Sequence, residues 1–501
     1  MHAPATPRID GAPGAPLSQA NPWPTPPSVR TPVPPAAPLV ATVATAALSA
    51  DSALAGAVTE LALPDIVDLA LHNNPATRAS WFAARAAADL YGASRGALYP
   101  TVNATVNLSR SQNTAGGTGG VGISTSPDST ATNRAAGAGA ARTQLTTSAT
   151  LSYLVFDLGG RRGAIEEARQ RAIAANLAHN ATVQDVILQT ESALFSFLAT
   201  RSLRDAQIVA VQEAASDTAA AAERRRVGVA TVADVLQTRT ALAQARLQLA
   251  TLEGDLFSAR GSLATAMGLP ANARFEVPVI SPHDSVADVA ATVDTLINRA
   301  IVQRPEIAEL RAEAEGLAAA VRVARSAGYP ALTLSSSSGL TRAKPSTISG
   351  NNYSLQLGVQ IPVFSGFARQ YDLRSAREQY EAGLAVLAQT RQQVTGQVFA
   401  AYSTLRTATQ RVHAAAELLV DAQQSADVAV GRYREGVGTV VDVLLAQSAL
   451  ASARAADIQV RWEWRTALAQ LAHDIGAFDL SGRPGIPLGN PQSGNGGGLD
   501  R

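Results

Sequence analysis

The chain has 501 residues, a formal net charge of +1 and 16% charged residues. A near-neutral chain without a basic stripe does not fit a nucleic-acid-binding protein. The absence of cysteine excludes disulfides, thiolate metal sites and a lipid-acceptor cysteine, and the 6 scattered histidines lack metal-site spacing. We therefore expect no nucleic-acid partner, no metal and no cofactor.

Residues 1–55 form a proline-rich leader. Proline recurs from Pro4 to Pro38, which rules out a regular helix or a central strand there. Residues 38–50 are apolar and end in small residues, like the core of a signal peptide, and residues 53–55 offer a candidate A-x-A cleavage site. A plain low-complexity leader is the alternative interpretation.

Four segments alternate apolar and polar residues, which predicts β-strands. They are residues 101–109 and 148–156, a segment that opens with Leu332 and Leu334, and residues 353–363. Their lengths approach those of membrane β-strands, and aromatic residues lie near their ends, as in the girdles of outer-membrane barrels. No window holds the roughly 18 apolar residues of a spanning helix, so any membrane crossing should use strands. A soluble hairpin is the alternative, but it explains the polar second faces less well.

Two very long helices are predicted between and after the strands. Residues 164–227 contain neither glycine nor proline, enough for one helix of about 96 Å, and residues 439–475 allow another of about 55 Å. Apolar residues recur at spacings of four and seven, as in a packed coiled-coil seam. The positions concerned are Val183, Ile187, Leu194 and Leu198.

The chain also contains an internal repeat. Residues 226–236 align with residues 434–444 at a constant offset of 208. Nearer the start of each half, Tyr99-Pro100 matches Tyr329-Pro330 at an offset of 230, so the first half holds extra residues before Phe156. The Gly/Ser/Thr/Ala-rich run at residues 111–139 accounts for them and is predicted to be an exposed loop.

This repeat predicts the domain organisation. A leader (1–55) precedes the first repeat (56–270), a linker (271–294) leads to the second repeat (295–478), and a Gly/Pro-rich tail (479–501) is predicted to be disordered. Each repeat is expected to run helix, strand, loop, strand, very long helix, tight turn and long helix.

The order of these motifs resembles that of the TolC family of outer-membrane factors. The resemblance rests on Tyr-Pro before each hairpin, Val-Phe-Asp-Leu-Gly-Gly or Val-Phe-Ser-Gly after it, and Gly-x-x-Thr-x-x-Asp-Val-Leu at both coil turns, and it covers residues 60–478. It implies an α plus membrane β-barrel fold: a homotrimer whose 12-stranded barrel, with four strands from each chain, lies in the outer membrane of a Gram-negative cell. A coiled-coil tunnel would cross the periplasm and engage a periplasmic adaptor and an inner-membrane pump.

Both coil turns carry Thr-x-x-Asp. One interpretation is a capping box at a helix start. The resemblance adds a second one, in which three copies of Asp442 form a cation-favouring ring at the pore entrance and Tyr433 and Asp234 bridge neighbouring coils. Gly438 and Leu445 stand where family members often have a basic residue and a second acidic residue, so a network of those charges is not expected here.

Glycine at each turn predicts the positive φ that ends a helix. In the family, small residues at these tips meet the hairpins of the adaptor, because a missing side chain permits close backbone approach. The resemblance therefore implies adaptor contacts at Gly228, Val229, Thr231, Gly436, Val437 and Thr439.

Together these features predict a passive exit channel for a tripartite efflux system. We find no nucleophile and base arrangement, phosphate loop or metal spacing, so an enzyme is not expected. The tunnel sequence does not separate efflux from the outer-membrane component of type I protein secretion, which works with an ATP-driven transporter. A soluble coiled-coil scaffold is a third hypothesis, but it leaves the four alternating strands unexplained.

Overall fold

A computed structural model describes residues 61–111, 142–278, 291–344 and 348–478. Its first repeat comprises α1 (Leu63–Asn73), α2 (Pro75–Arg95), β1 (Thr101–Ser111), β2 (Arg142–Phe156), α3 (Gly160–Arg226) and α4 (Val232–Ala266). The second comprises α5 (Val293–Gln303), α6 (Pro305–Ser326), β3 (Ala331–Lys344), β4 (Ile348–Gln360), α7 (Ala368–Arg434) and α8 (Val440–Asp474). Within the described residues, none of the helices combines the length and apolarity needed to span a membrane.

The chain divides into a sheet unit, with described residues 88–111, 142–170, 314–344 and 348–382, and a helical unit that holds the other described residues. In the sheet unit, four antiparallel strands pair in the order β1-β2-β3-β4. This confirms the four predicted strands.

The register of the strands sorts side chains by polarity. Thr105 pairs with Ser148, Ser148 pairs with Gly339, and Gly339 pairs with Asn352, so one row across the sheet lies on a polar face. The adjacent row begins with Ala104 and ends with Tyr353, on a mainly apolar face. Apolar side chains on this second face are largely exposed, from 64% to 84%: Val102, Val106, Leu108, Tyr353, Leu355 and Leu357.

The strands differ from the prediction at their ends. β1 and β2 extend beyond the predicted residues 101–109 and 148–156. β4 ends at Gln360 rather than continuing to Val363, because Pro362 has no N–H to donate to a neighbouring strand. Apart from Ser111, which ends β1, the predicted loop at residues 111–139 lies outside the described residues.

Equivalent long helices of the two repeats have the same length. α3 and α7 each contain 67 residues, and α4 and α8 each contain 35, so the offset of 208 holds throughout both coils. α3 begins at Gly160 rather than at Ala164. Gly163 lies inside the helix. A Cβ at this position would come within 2.9 Å of the Val323 side chain, so the glycine permits close packing between helices and does not end α3.

The core of the helical unit lies where short helices cover the long ones. Ile66 of α1 packs in a buried cluster with Leu194 of α3 and Leu263 of α4, and Leu296 of α5 packs in a second cluster with Leu405 of α7 and Leu471 of α8. The four apolar residues of the predicted α3 seam are all buried, Val183 and Ile187 with Val67 of α1 and the other two in the cluster with Ile66, and coiled-coil packing of the seam stays a prediction. Nearer the turns, α7 and α8 meet through a smaller cluster rich in alanine.

The proposed domain boundaries remain predictions. Residues 1–55, with the candidate signal peptide, and the tail at 479–501 lie outside the described residues, as do residues 279–290 of the linker.

Candidate functional site at the coiled-coil turns

The turn between α3 and α4 is built from backbone hydrogen bonds. Gly228 has φ of 84°, its N–H donates to the carbonyl of Arg225 at 3.0 Å, and the N–H of Val229 donates to the carbonyl of Arg224 at 2.9 Å. This pair of bonds is a Schellman motif, which satisfies the last carbonyls of a helix and requires a left-handed residue.

The turn between α7 and α8 repeats this geometry. Gly436 has φ of 78°, and the N–H groups of Gly436 and Val437 donate to the carbonyls of Tyr433 and Arg432 at 3.1 and 3.0 Å. The predicted positive φ is thus confirmed at both turns.

Each turn leads into a capped helix. The N–H of Asp234 donates to Thr231 Oγ1 at 3.2 Å, and the N–H of Thr231 donates to Asp234 Oδ2 at 2.8 Å. The corresponding distances between Thr439 and Asp442 are 3.2 and 3.0 Å, and the Thr439 hydroxyl also donates to Asp442 Oδ2 at 2.8 Å. The capping-box interpretation is therefore confirmed for both motifs.

Capping leaves Asp442 charged and exposed. The backbone N–H and the hydroxyl of Thr439 hold the pKa of the Asp442 carboxyl below its usual range, and nearby Arg432 acts in the same direction. The carboxylate therefore stays ionised at neutral pH, and its role in the cap is compatible with a contribution to a charged entrance.

Tyr433 is held by a residue of the other coil. The Arg224 guanidinium lies 4.3 Å from the centre of the Tyr433 ring, and its Nη1 donates to the Tyr433 carbonyl at 2.7 Å. Within the described chain, Asp234 bonds instead to its own cap. Contacts of Tyr433 and Asp234 with neighbouring chains remain predictions.

Arg224 and a second link between the coils were not predicted from the sequence. Arg454 of α8 donates to Glu213 of α3 at 3.1 Å and to Gln423 of α7 at 3.1 Å. The three consecutive arginines at 224–226 could have indicated a role for basic side chains at this end of α3, because basic residues favour helix C-termini. The second link had no comparable signal.

The turns expose an apolar surface. Val229 and Val437 are 65% and 67% exposed, and other apolar side chains surround them: Val227, Val232, Leu236, Val441 and Leu445. All six predicted adaptor-contact residues are exposed. Exposed apolar groups clustered at one place typically mark a surface for another protein. Within the described residues, no group of His, Asp and Glu side chains is arranged to hold a metal.

Comparison with known proteins places these features in a family. The model of the outer membrane efflux protein family matches residues 66–269 and 296–477. Protein CyaE of Bordetella pertussis is 28% identical over 440 residues, which cover 86% of this chain and 88% of that protein. The pyoverdine export outer membrane protein OpmQ of Pseudomonas aeruginosa is 30% identical over 340 residues, covering 66% and 68%.

A solved structure shows the same fold. The outer membrane protein VceC of Vibrio cholerae superposes with a TM-score of 0.68 at 18% identity, covering 83% of this chain and 96% of that one. The resemblance to TolC-like channels is thereby confirmed. The chain belongs to the outer membrane efflux protein family, whose members are channels of the Gram-negative outer membrane with a helical periplasmic tunnel, and not enzymes.

Proposed function

We propose that this chain is one subunit of a homotrimeric outer-membrane channel that gives passive exit to the substrates of a tripartite efflux system. A periplasmic adaptor and an inner-membrane pump complete that system. Family membership and the geometry of the sheet unit support this proposal.

The sheet unit holds an open sheet with one apolar and one polar face. β1 and β4 are the outer strands of a four-stranded sheet, too few to close a barrel, and an open edge in lipid leaves N–H and C=O groups unpaired at several kcal/mol each. Three copies supply 12 strands, a number within the range of outer-membrane barrels. The exposed apolar face then meets lipid, and the polar face lines water.

Neighbouring residues of β1 provide a matched test. We expect Val106→Lys to abolish heat-modifiable trimers in the outer-membrane fraction, because Val106 is 68% exposed on the apolar face and a lysine in lipid costs about 2 to 4 kcal/mol. Asn107→Lys, on the polar face of the same strand, should leave the trimers intact. A wild-type chain recovered as a folded monomer in buffer without detergent would contradict the proposal.

The adaptor is proposed to bind at the exposed coil turns. Val229 and Val437 occupy equivalent positions and offer apolar side chains without strong intramolecular packing. Replacing either by tryptophan should keep trimers intact and reduce export. Full export by both variants would contradict docking at these residues.

The proposed cargo is small molecules, consistent with the family description and with the pyoverdine export assigned to OpmQ by its name. A deletion strain should become sensitive to toxic small molecules while its secreted proteins are unchanged. Loss of a secreted protein with unchanged sensitivity would assign the chain to type I secretion instead.

A further inference from the structure

A large groove runs along α8 in the helical unit, between α3 and α7. Its volume is about 1150 Å³, somewhat above the usual range for pockets that hold drug-sized ligands. Neither the family nor the proposed adaptor surface accounts for it, because it lies away from the turns.

The groove occupies the face of α8 opposite its cluster with α5. Gln459, Glu463 and Thr466 line it, whereas Trp464, Leu468 and Leu471 pack in the cluster with α5. Five residues along a helix correspond to a rotation of about 140°, so the two sets face nearly opposite directions. In the proposed trimer a clear bore would require α5 to lie outside the tunnel, so the groove on the opposite face of α8 would line it.

Hydroxyl groups in the groove have no hydrogen-bond partner among the described residues. They belong to Ser192, Ser196, Ser403, Thr404 and Thr407. Close by on α3, the hydroxyls of Thr200 and Ser202 donate to the carbonyls of Ser196 and Leu198, one turn earlier. The groove therefore presents donors and acceptors that the protein does not use itself.

Aromatic side chains form part of the wall. The rings of Phe195 and Trp462 lie 6.0 Å apart, and Phe399 is 60% exposed. Trp462 is only 2% exposed, and its buried Nε1–H, which has no acceptor among the described residues, does not face the groove. An occupant with a ring would complement the exposed part of this aromatic wall.

The charged residues of the groove neutralise each other. Arg411 Nη1 donates to Glu463 Oε2 at 2.6 Å, and Gln459 Nε2 donates to Glu463 Oε1 at 2.9 Å. Since neither charge is left unpaired, the groove offers no electrostatic preference for an ion.

We propose that this groove is a binding site for uncharged aromatic solutes that carry hydroxyl or amide groups, occupied during their passage through the pore. This proposal rests on the proposed channel function and names the substrate class that the channel favours.

Chloramphenicol, a neutral aromatic amide with two hydroxyls, is a suitable probe. Binding to the full-length trimer in detergent can be measured by saturation-transfer NMR. Thr404→Val and Thr407→Val remove a hydroxyl without changing side-chain size, and each should weaken binding about threefold to tenfold. Thr200→Val is the matched control, because its hydroxyl already bonds within α3, and it should leave binding unchanged.

The anionic succinate ester of chloramphenicol should bind more weakly than the parent compound. Tighter binding of the anion, equal binding by all three variants, or no binding of chloramphenicol would each overturn the proposal. If trimers form in the outer membrane and one of these contrary outcomes is found, the groove proposal is wrong and the channel function is unaffected. Absence of trimers would contradict the channel function itself.

Discussion

The two coil turns have the same backbone and different side-chain links. Both combine a Schellman motif around glycine with a Thr-x-x-Asp cap. At the position where the first turn has Arg225, however, the second has Tyr433, and only Tyr433 is bound by a residue of the other coil. The repeat thus preserves the turn, while links between the coils depend on positions where the copies differ.

A second pair of positions shows the same rule. Arg226 forms an ion pair with Glu223 one turn earlier. At the equivalent positions, Arg434 has Gly431 in place of the glutamate. Burial raises the pKa of Asp217 on α3, and the charge of Arg434 acts weakly against this rise from the other coil. Arg434 therefore lacks the ion pair within its own helix that Arg226 has, among the described residues.

The largest expected effect comes from a difference between the repeats further along the long helices. Glu191 of α3 corresponds to Phe399 of α7; it is 2% exposed, and its Oε1 has no partner among the described residues. Burial raises the pKa of Glu191 to about 7, whereas an unfolded glutamate titrates at about 4.3. The folded state therefore holds this proton more tightly, and stability falls as pH rises from about 4.3 through about 7.

Glu191→Gln should remove that dependence. We expect the free energy of unfolding of the wild type to fall by roughly 3 kcal/mol across this pH interval, and that of the variant to fall correspondingly less. Urea unfolding of the detergent-solubilised protein measures both. Equal pH profiles for the two proteins would show that Glu191 is not a buried proton site.

The next effect tests whether the two turns are equivalent. Gly228→Ala and Gly436→Ala should each destabilise the protein by about 1 to 2 kcal/mol, because alanine is strained at positive φ. Gly431→Ala is the control, since this glycine lies inside α7 with no atom near its missing Cβ, and it should stabilise by about 0.5 to 1 kcal/mol. The same sign at 431 and 436 would contradict the turn geometry.

A smaller effect tests the link that only one turn has. Arg224→Ala should destabilise the protein by about 1 kcal/mol, through loss of a cation–π contact and a hydrogen bond to Tyr433. Arg432→Ala removes the equivalent arginine of the second repeat, whose side chain makes no hydrogen bond or ring contact among the described residues, and should change stability less. Thermal unfolding of both variants measures the difference, and a larger loss for Arg432→Ala would reverse our assignment.

The features predicted correctly from the sequence are the local ones. Strand alternation, a glycine at positive φ and a Thr-x-x-Asp cap all depend on residues a few positions apart. The contact of Arg224 with Tyr433 joins residues 209 positions apart, so it depends on how two coils pack. The start of α3 was predicted too late for a related reason: Gly163 is a close-packing residue, and its neighbour Val323 is remote in sequence.

The proposed entrance role of Asp442 gives the most direct test of the account, because it requires a trimeric pore with the second turn at its mouth. Asp442→Asn removes the charge, and Asp234→Asn makes the same change in the matching cap of the first repeat. In planar bilayers we predict that Asp442→Asn lowers the ratio of cation to anion permeability and that Asp234→Asn changes it less. Unchanged selectivity in Asp442→Asn, or an equal loss in both variants, would contradict the assignment of the pore entrance to the second turn.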